Sequence, residues 1–385
     1  MLTPSHPLTW LTDHFGEVED PRLDRHKAHQ LLDIIGLTII GVLSGADNFV
    51  SIEQFGLAKL DRLKDFLSLD NGIPSHDTLG RCFSLLDPQQ VEDGFVSWVT
   101  SLSQLAKGEI VAIDGKVLRG SHDRHHNKYA IHMVGAWAVG NGLSLGQVKV
   151  DHKSNEITAI PKLLEILDLE GCVVTIDAMG TQKDIASKII DKRADYVLAL
   201  KENHPELYAE VEKSFAHLAG SANFPLTEQW DKGHGRIESR RCCVLDVNHP
   251  DFEWILAEDL APWTGLSSII MIESHRWRNE EHSVERRYYL SSLRADRNTH
   301  DRFQQVIRSH WAIENNLHWC LDVTFREDQA RVRTKAADQN MAVIRRLVLN
   351  LLKKEKTLKV GLQNKRMRAA WDDQYLLKLL DAGKV

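Results

Sequence analysis

The sequence predicts a mixed α/β protein in which an all-helical front precedes a sheet-centred core. Three observations lead there. Residues 27–105 carry apolar side chains at helical spacing. At Glu109 the pattern changes to short β-rich runs, the second and third of them joined by Gly140-Asn141-Gly142. Further on, apolar strands alternate with helical segments. With 385 residues, 43% of them hydrophobic, the chain can bury one large core or several smaller ones. The absence of internal repeats and low-complexity stretches argues against a solenoid or a disordered protein.

Taken in order, Leu31, Leu32, Ile35, Leu37, Ile39, Ile40 and Leu43 predict a buried helix. Ser75, after Pro74, is placed to cap a second helix, and Ile73 to Leu86 can be read as a helix-turn-helix or as plain helical packing. Asp87-Pro88 reads as an N-cap with proline at the first helical position. Strands follow at Ile110–Asp114, Tyr129–Val139 and Leu143–Val150. A helix from Ile157 to Leu169 leads to a strand at Cys172–Asp177. Thr181 and Asp184 then form a capping pattern for a helix to Lys192, before a fifth strand at Tyr196–Leu200. Three meandering strands followed by two right-handed crossovers match a ribonuclease H-like sheet. Residues 204–297 read as a β-rich insertion, opening with a helix at Glu206–Leu218 and continuing with β-like runs at Ser239–Val247, Ser267–Ser274 and Glu285–Ser292. A helix from Thr299 to Leu321 precedes the tail. The implied domains are a helical front at 1–106, the first part of the core at 107–203, the insertion at 204–297, and a last catalytic helix with a basic helical tail at 298–385.

The net charge of −6 argues against a protein that coats nucleic acid by bulk attraction. The charge is uneven, however. Residues 1–100 carry 7 Lys/Arg against 15 Asp/Glu, and residues 326–368 carry 13 against 4. That pattern reads as an acidic front and a basic tail able to touch phosphates, or as a solvated basic helix. Five cysteines without a CxxC pair read as reduced thiols. The N-terminus has no basic and apolar segments of a signal peptide, and the longest apolar stretch falls short of the about 20 residues that span a bilayer. The sequence therefore reads as a soluble, cytoplasmic protein with no membrane partner.

Asp114 and Asp177 each close an apolar β-run, VAID and VTID. On neighbouring parallel strands their carboxylates would lie a few ångströms apart and repel unless a cation neutralises them. An all-oxygen site of that kind suits Mg²⁺, which keeps waters and takes substrate phosphates as ligands. The bland alternative is that each Asp caps the segment after it. A third carboxylate is offered by Glu314, which helical spacing places on a face with Ile307, His310, Trp311, Leu317, His318 and Leu321. A carboxylate in such a stripe needs a partner, either a metal or an internal ion pair with His310 or His318. Asp322, Glu327 and Asp328 are further candidates. His122, His125 and His126 lack the cysteine partners that would favour zinc.

Several cations are placed to meet DNA. Lys116 and Arg119 follow Asp114 and are placed to hold phosphates or to compensate negative charge, and Lys201 with Asn203 closes the fifth strand; each can equally be read as an ordinary strand-end polar residue. The loop holding Lys232, Arg236, Arg240 and Arg241 combines charge with two glycines whose amides can approach phosphates. In the tail, Arg331, Arg333, Lys335, Arg345 and Arg346 can track a DNA backbone, which would make affinity fall steeply with salt.

The segments AIDGKVLRGS (112–121), TIDAMGTQ (175–182), DYVLALKEN (195–203), HGRIESR (234–240) and HWAIENNLHWCLDVTFREDQAR (310–331) together resemble the DDE transposases of bacterial insertion sequences. Within that group the likeness is to the H-repeat-associated proteins found beside Rhs elements. Residues 11–48 resemble the helical domain that precedes the catalytic core there. The resemblance implies a ribonuclease H-like core in which Asp114, Asp177 and Glu314 converge on Mg²⁺, with Mn²⁺ able to substitute, and a β domain inserted before the Glu. It implies double-stranded DNA as partner, at element ends and target, and a homodimer on DNA near the bacterial nucleoid. It further implies attack of water on a phosphodiester at the element end, followed by attack of the released 3′-hydroxyl on target DNA. One departure stands out. Where related transposases carry a Tyr-x2-Arg-x3-Glu-x6-Lys signature, this chain has Ile307, His310, Glu314 and Leu321. Only the Glu is retained, so the roles of the Tyr, Arg and Lys do not carry over, and Arg308, His310 and His318 are the candidates to replace them. The sequence leaves two other readings open: a metal-dependent nuclease that does not transpose, and a domesticated or inactive element protein that only binds DNA.

Overall fold

The computed structural model describes residues 6–23, 27–103, 105–122, 129–151, 155–218, 226–233, 236–248, 257–278, 281–295 and 299–384. Along the chain these form α1 (Thr9–Phe15), α2 (Leu31–Leu43), α3 (Phe49–Ala58), α4 (Leu60–Leu63), α5 (His76–Leu85) and α6 (Pro88–Leu102). Strands β1 (Ile110–Leu118), β2 (Ile131–Ala138) and β3 (Leu143–Lys149) come next, then α7 (Glu156–Ile166), β4 (Val173–Ile176), α8 (Lys183–Asp191) and β5 (Asp195–Leu200). The rest are α9 (Pro205–Leu218), β6 (Thr227–Gly233), β7 (Arg236–Asp246), α10 (Ala257–Leu260), β8 (Ser268–Arg278), β9 (Glu281–Ser291), α11 (Thr299–His310), α12 (Trp319–Val323), α13 (Ala337–Lys354), α14 (Leu362–Trp371) and α15 (Asp373–Asp381). No described helix is long and apolar enough to cross a membrane.

The chain divides into two compact units, one of Met1–Gln104, Gly115–Lys153 and Glu314–Val385, the other of Leu105–Asp114 and Ser154–Ile313. The first is organised around α13, whose residues from Met341 to Leu352 are all buried. It packs against α2, α5, α6, α14, α15 and β3. Each Leu, Ile, Val or Met it buries stabilises the fold by about 1.5–3 kcal/mol. Its two asparagines tie it to neighbouring elements. Asn350 exchanges two 2.9 Å hydrogen bonds with the backbone of Ser144 in β3. Asn340 donates to the Phe83 and Leu86 carbonyls at the end of α5, which have no further helical partner. α2 is apolar apart from Asp33 and Thr38, and every residue but Leu32 is buried. Buried Arg366 donates to the Val42 carbonyl at the C-terminal end of α2, where a cation also suits the helix dipole.

The helix signals read from the front of the sequence form as expected. Ser75 accepts the Thr78 N–H at 3.3 Å and Asp87 the Gln89 N–H at 2.8 Å. In the same unit β2 and β3 pair antiparallel across the Gly-Asn-Gly turn, where Gly142 takes the left-handed φ of 68°.

In the second unit the strand order is β1-β4-β5-β9-β8-β7-β6, and the first runs β3-β2-β1. β1, β4 and β5 are parallel, with α8 as the crossover between the last two. Three meandering strands and two parallel neighbours are the ribonuclease H-like arrangement. The region expected as a separate insertion is continuous with this sheet, because β9 pairs antiparallel with β5 from Val197↔Ser291 to Leu200↔Tyr288. β6 escapes a reading by periodicity because it is an edge strand, TEQWDKG, whose charges blunt the edge rather than alternate with apolar residues.

The basic tail is not a surface helix. Arg345 and Arg346 are 3% and 1% exposed, and Lys365 and Arg366 are buried as well. The expectation that Arg345 and Arg346 track DNA is therefore corrected: both face buried Glu327, at 3.6 and 3.5 Å.

Glu92 of α6 is buried and accepts the Gln147 N–H of β3 at 2.8 Å, and burial pushes its carboxyl up from 4.5 to about 7. Native protein thus holds a proton that the unfolded chain releases near 4.5, so this group's contribution is full below that pH and is lost as pH rises through about 7. Glu92→Gln keeps the accepting oxygen and removes the titration. The variant should gain on the wild type between about pH 5 and about pH 8, by roughly 3 kcal/mol at most. Urea unfolding at the two pH values checks this; a difference that does not change with pH refutes it.

Candidate active site

The parallel register of β1 and β4 runs Ile110↔Val173, Val111↔Val174, Ala112↔Thr175 and Ile113↔Ile176. Asp114 and Asp177 are each the next residue, on strands about 4.8 Å apart. Both are partly exposed while the four pairs beneath them are buried. β4 ends there, whereas β1 continues through Asp114 to Leu118, four residues beyond the expected end of the run.

The turn after Asp177 is built around it. Asp177 Oδ1 accepts the Gly180 N–H at 3.2 Å, as the capping alternative foresaw, and its other oxygen has no donor among the described residues. A Cβ at Gly180 would lie 2.3 Å from Ile176 Cγ2 and 2.6 Å from Ile160 Cδ1, so only glycine fits. Thr181 Oγ1 donates to the Asp177 carbonyl at 3.1 Å and the Ala199 carbonyl at 2.7 Å. Asn203 donates to the Ala178 carbonyl, and His204 Nε2 to the Thr181 carbonyl, both at 2.7 Å. The segments TIDAMGTQ and KENH thus lock β4 to the end of β5. Sequence reasoning places Lys201 and Asn203 near one cleft but misses this scaffold; its signal is a run of amide, hydroxyl and imidazole side chains just past two parallel strand ends. Lys201 itself is exposed.

α11 packs on β4 and β7. It sets His310 Nδ1 3.1 Å from Thr175 Oγ1. Burial holds the His310 imidazole below its ordinary 6.5, an effect that the negative charge of Asp177 opposes. His310 is therefore beside Asp177.

Glu314 is not in a continuous helix. α11 stops at His310, and Glu314 opens a π-helical segment to His318 before α12. The extra residue in such a turn rotates the residues after it, and π segments are frequent at functional sites. The single face expected from Ile307 to Leu321 is thereby broken. Ile307, Leu317 and Leu321 are buried, while Trp311 and Glu314 are exposed, so Glu314 is not a carboxylate enclosed by apolar side chains. Among the described residues no group of three or more His, Cys, Asp or Glu side chains that could hold a metal ion is found; Glu314 belongs to the first unit, Asp114 and Asp177 to the second. Carboxylates repel until a cation lies between them. The alternative third ligands are engaged in the first unit: Glu327 faces Arg345 and Arg346, while Asp322 and Asp328 lie 2.5 and 3.7 Å from Lys116 Nζ.

Lys116 itself is 8% exposed. Its charge is engaged with these two carboxylates, the compensating role that is one of its two readings. Arg119 is exposed, 3.6 Å from Asp328. Arg331 is exposed, and Arg333 donates to the Gly120 carbonyl at 2.9 Å. On the β6–β7 hairpin Lys232 is exposed, Arg236 lies in β7, and Arg240 pairs with Glu238. Arg241 meets Glu228 and Glu273 at 3.1 and 3.4 Å, so much of that loop's positive charge is matched locally. His234, Gly235, His125 and His126 lie outside the described residues. All five cysteines are buried and none forms a disulfide.

Comparison with known proteins gives the class, the DDE transposases. Residues 105–351 match the family described as Transposase DDE domain, and residues 12–99 match DDE_Tnp_1-associated, the domain that accompanies it. The chain belongs to the DDE transposase family. It is 41% identical over 376 residues to "Putative transposase YncI" of Escherichia coli O157:H7, covering 96% of this chain and 94% of that one. It is 39% identical over 377 residues to "H repeat-associated putative transposase YhhI" of Escherichia coli K12, covering 96% and 97%. A cryo-EM structure of a piggyBac transposase synaptic complex with hairpin DNA aligns at 13% identity and a TM-score of 0.44, over 94% of this chain and 79% of that one, too slight a likeness to carry an argument.

If Lys116 is structural, Lys116→Met leaves Asp322 and Asp328 without their ammonium. Stability should then fall by roughly 2–3 kcal/mol, less than for a fully dry pair because both carboxylates keep some water. Lys116→Met/Asp322→Asn should recover part of the loss in urea unfolding. Weaker DNA binding at unchanged stability would return Lys116 to the phosphate contacts.

Proposed function

We propose that this chain is a metal-dependent transposase that cuts DNA at element ends and joins the released strand to target DNA. The observation that carries the reading is the side-by-side placement of Asp114 and Asp177, one step past Ile113 and Ile176 in a parallel register. Two carboxylates held next to each other, one of them with an oxygen that has no donor among the described residues, are a donor set suited to a hard divalent cation. We assign Glu314 as the third ligand, on its place in the family motif. Mg²⁺ is the proposed ion, with Mn²⁺ able to replace it. A pair of such ions would supply Lewis-acid stabilisation to the attacking and the leaving oxygens of an in-line phosphoryl transfer.

The chain's own residues supply position and charge. The Gly180–Thr181–Asn203–His204 scaffold fixes the Asp177 carboxylate against β5, so that little ordering is left for the moment of reaction. His310, held below its ordinary pKa, is neutral at pH 7 and can accept a proton or orient a phosphate oxygen near Asp177. No covalent protein intermediate is required, so no nucleophilic Ser or Tyr is assigned. The proposed contacts to double-stranded DNA are Arg119, Lys201, Lys232, Arg236, Arg240, Arg331 and Arg333, and two copies of the chain would hold paired ends.

Purified protein incubated with element-end DNA and Mg²⁺ tests the reading. Joined products identify a transposase, cleavage without joining a nuclease, and a mobility shift alone a DNA-binding protein. Asp114→Asn and Asp177→Asn should each lower cleavage at least about 1000-fold, the order expected when a metal ligand is lost, with DNA affinity within about 3-fold of wild type. Glu314→Gln should do the same. Full activity in either Asp variant sinks the mechanism, and full activity in Glu314→Gln alone removes only the third ligand.

A further inference from the structure

A cavity of about 1140 Å³ lies wholly within the first unit, and none of the carboxylates assigned above lines it. Three stretches far apart in sequence enclose it: the first turn of α3, one side of α5, and the loop from Arg326 to Lys335. The α5 wall is His76, Asp77, Gly80, Arg81, Ser84 and Leu85, spaced so that all fall on one side of the helix. This is the segment that the sequence offered as a helix-turn-helix; its exposed side forms a wall instead of a projecting helix.

The cavity is cationic. Arg81, Arg326, Arg331, Arg333 and Lys335 line it against Asp47 and Asp77. Asp47 is matched by the buried guanidinium of Arg366. Arg81, Arg326 and Arg331 are exposed, and none of the three enters an ion pair among the described residues. The backbone of the loop is shaped for presenting them. Arg326 and Lys335 hold left-handed φ values of 51° and 46°. Such a conformation costs about 1 kcal/mol or more for a side chain other than glycine. A cation thus stands at both ends of the loop where glycine would be easier.

The loop is also fastened before anything binds. Arg333 Nε donates to the Gly120 carbonyl at 2.9 Å, and Asp328 Oδ1 accepts the Arg119 N–H at 3.3 Å. A Cβ on Gly120 would lie 2.3 Å from the Ala330 carbonyl oxygen, so the two segments touch backbone to backbone. Opposite, the first turns of α3 and α5 bring their positive ends to the rim, capped by Asn48 and Ser75.

We propose that this groove seats the sugar–phosphate backbone of duplex DNA, an inference that rests on the transposase reading. Fixed guanidinium forks along a polar cleft suit a row of phosphates. Single-strand grooves add aromatic platforms for stacked bases, and among the described residues Phe49 is the sole Phe, Tyr or Trp in the lining. With a net charge of −6, binding to DNA depends on local features of this kind and not on bulk attraction.

The test uses the full chain and a labelled mixed-sequence duplex of about 40 base pairs, with affinity followed from about 0.05 to about 0.3 M salt. The groove variant is Arg81→Ala/Arg326→Gly/Arg331→Ala, in which glycine relieves the left-handed backbone and so protects folding. The control, Arg193→Gly/Lys213→Gln/Lys356→Gln, removes the same charge from exposed sites elsewhere. The expected result is a salt slope lower by roughly 2–3 and an affinity at least about 10-fold weaker for the groove variant, with the control near wild type. Equal losses in both variants, or none in the groove variant, overturn the inference while leaving the transposase reading intact. Loss of single-strand binding alone overturns the duplex assignment. Failure of the wild type to bind any DNA refutes both.

Discussion

The parallel pairing of β1 with β4 is the constraint on which the candidate site depends. Four residue pairs, buried on both faces of the sheet, fix the register of β1 against β4. That register sets Asp114 and Asp177 one step past the last buried pair, at the same level of neighbouring strands. Around the pair, the chain spends glycine, threonine, asparagine and histidine on fixing the turn after Asp177 and none of its lysines or arginines. Among the described residues no lysine or arginine side chain forms an ion pair with Asp177, and the turn is held by neutral groups instead.

The lysines and arginines near the other carboxylates do the reverse. Lys116 meets Asp322 and Asp328, and Arg345 and Arg346 meet Glu327. These pairs are buried or nearly so, and ion pairs of that kind add little net stability over apolar packing. What they contribute is location. Glu327 and Asp328 open the loop whose cations line the groove, and anchoring them to α13 and β1 fixes where that loop begins.

Much of the fold was legible in the sequence because period and turn chemistry agreed with it. The buried α2, the caps at Ser75 and Asp87, the Gly-Asn-Gly hairpin and the alternation through Leu200 all follow from local rules. What was not legible was non-local. The charged edge strand β6 has no apolar alternation to reveal it. The pairing of β9 with β5, which makes the insertion part of the sheet, depends on residues some ninety positions apart. Charge was the most misleading signal. A net count over residues 326–368 cannot distinguish Arg331, which is exposed, from Arg346, which lies inside a helix core. The carboxylate pair could be read because two apolar runs ended alike, whereas Glu314 carried only its motif.

The break between α11 and α12 bears on that last residue. A regular helix from Thr299 to Leu321 would put Glu314 on the stripe of Ile307, Leu317 and Leu321, all of which are buried. Desolvating a carboxylate there without a partner would cost several kcal/mol. The π segment removes the conflict by adding a residue to the turn, so that Leu317 and Leu321 stay buried while Glu314 is exposed. A chain that needed only packing at this point could have placed an apolar residue at 314 and kept the helix regular. Retaining both the carboxylate and the irregular turn is hard to explain by stability, and the cost is understandable if Glu314 must remain solvated until a cation binds.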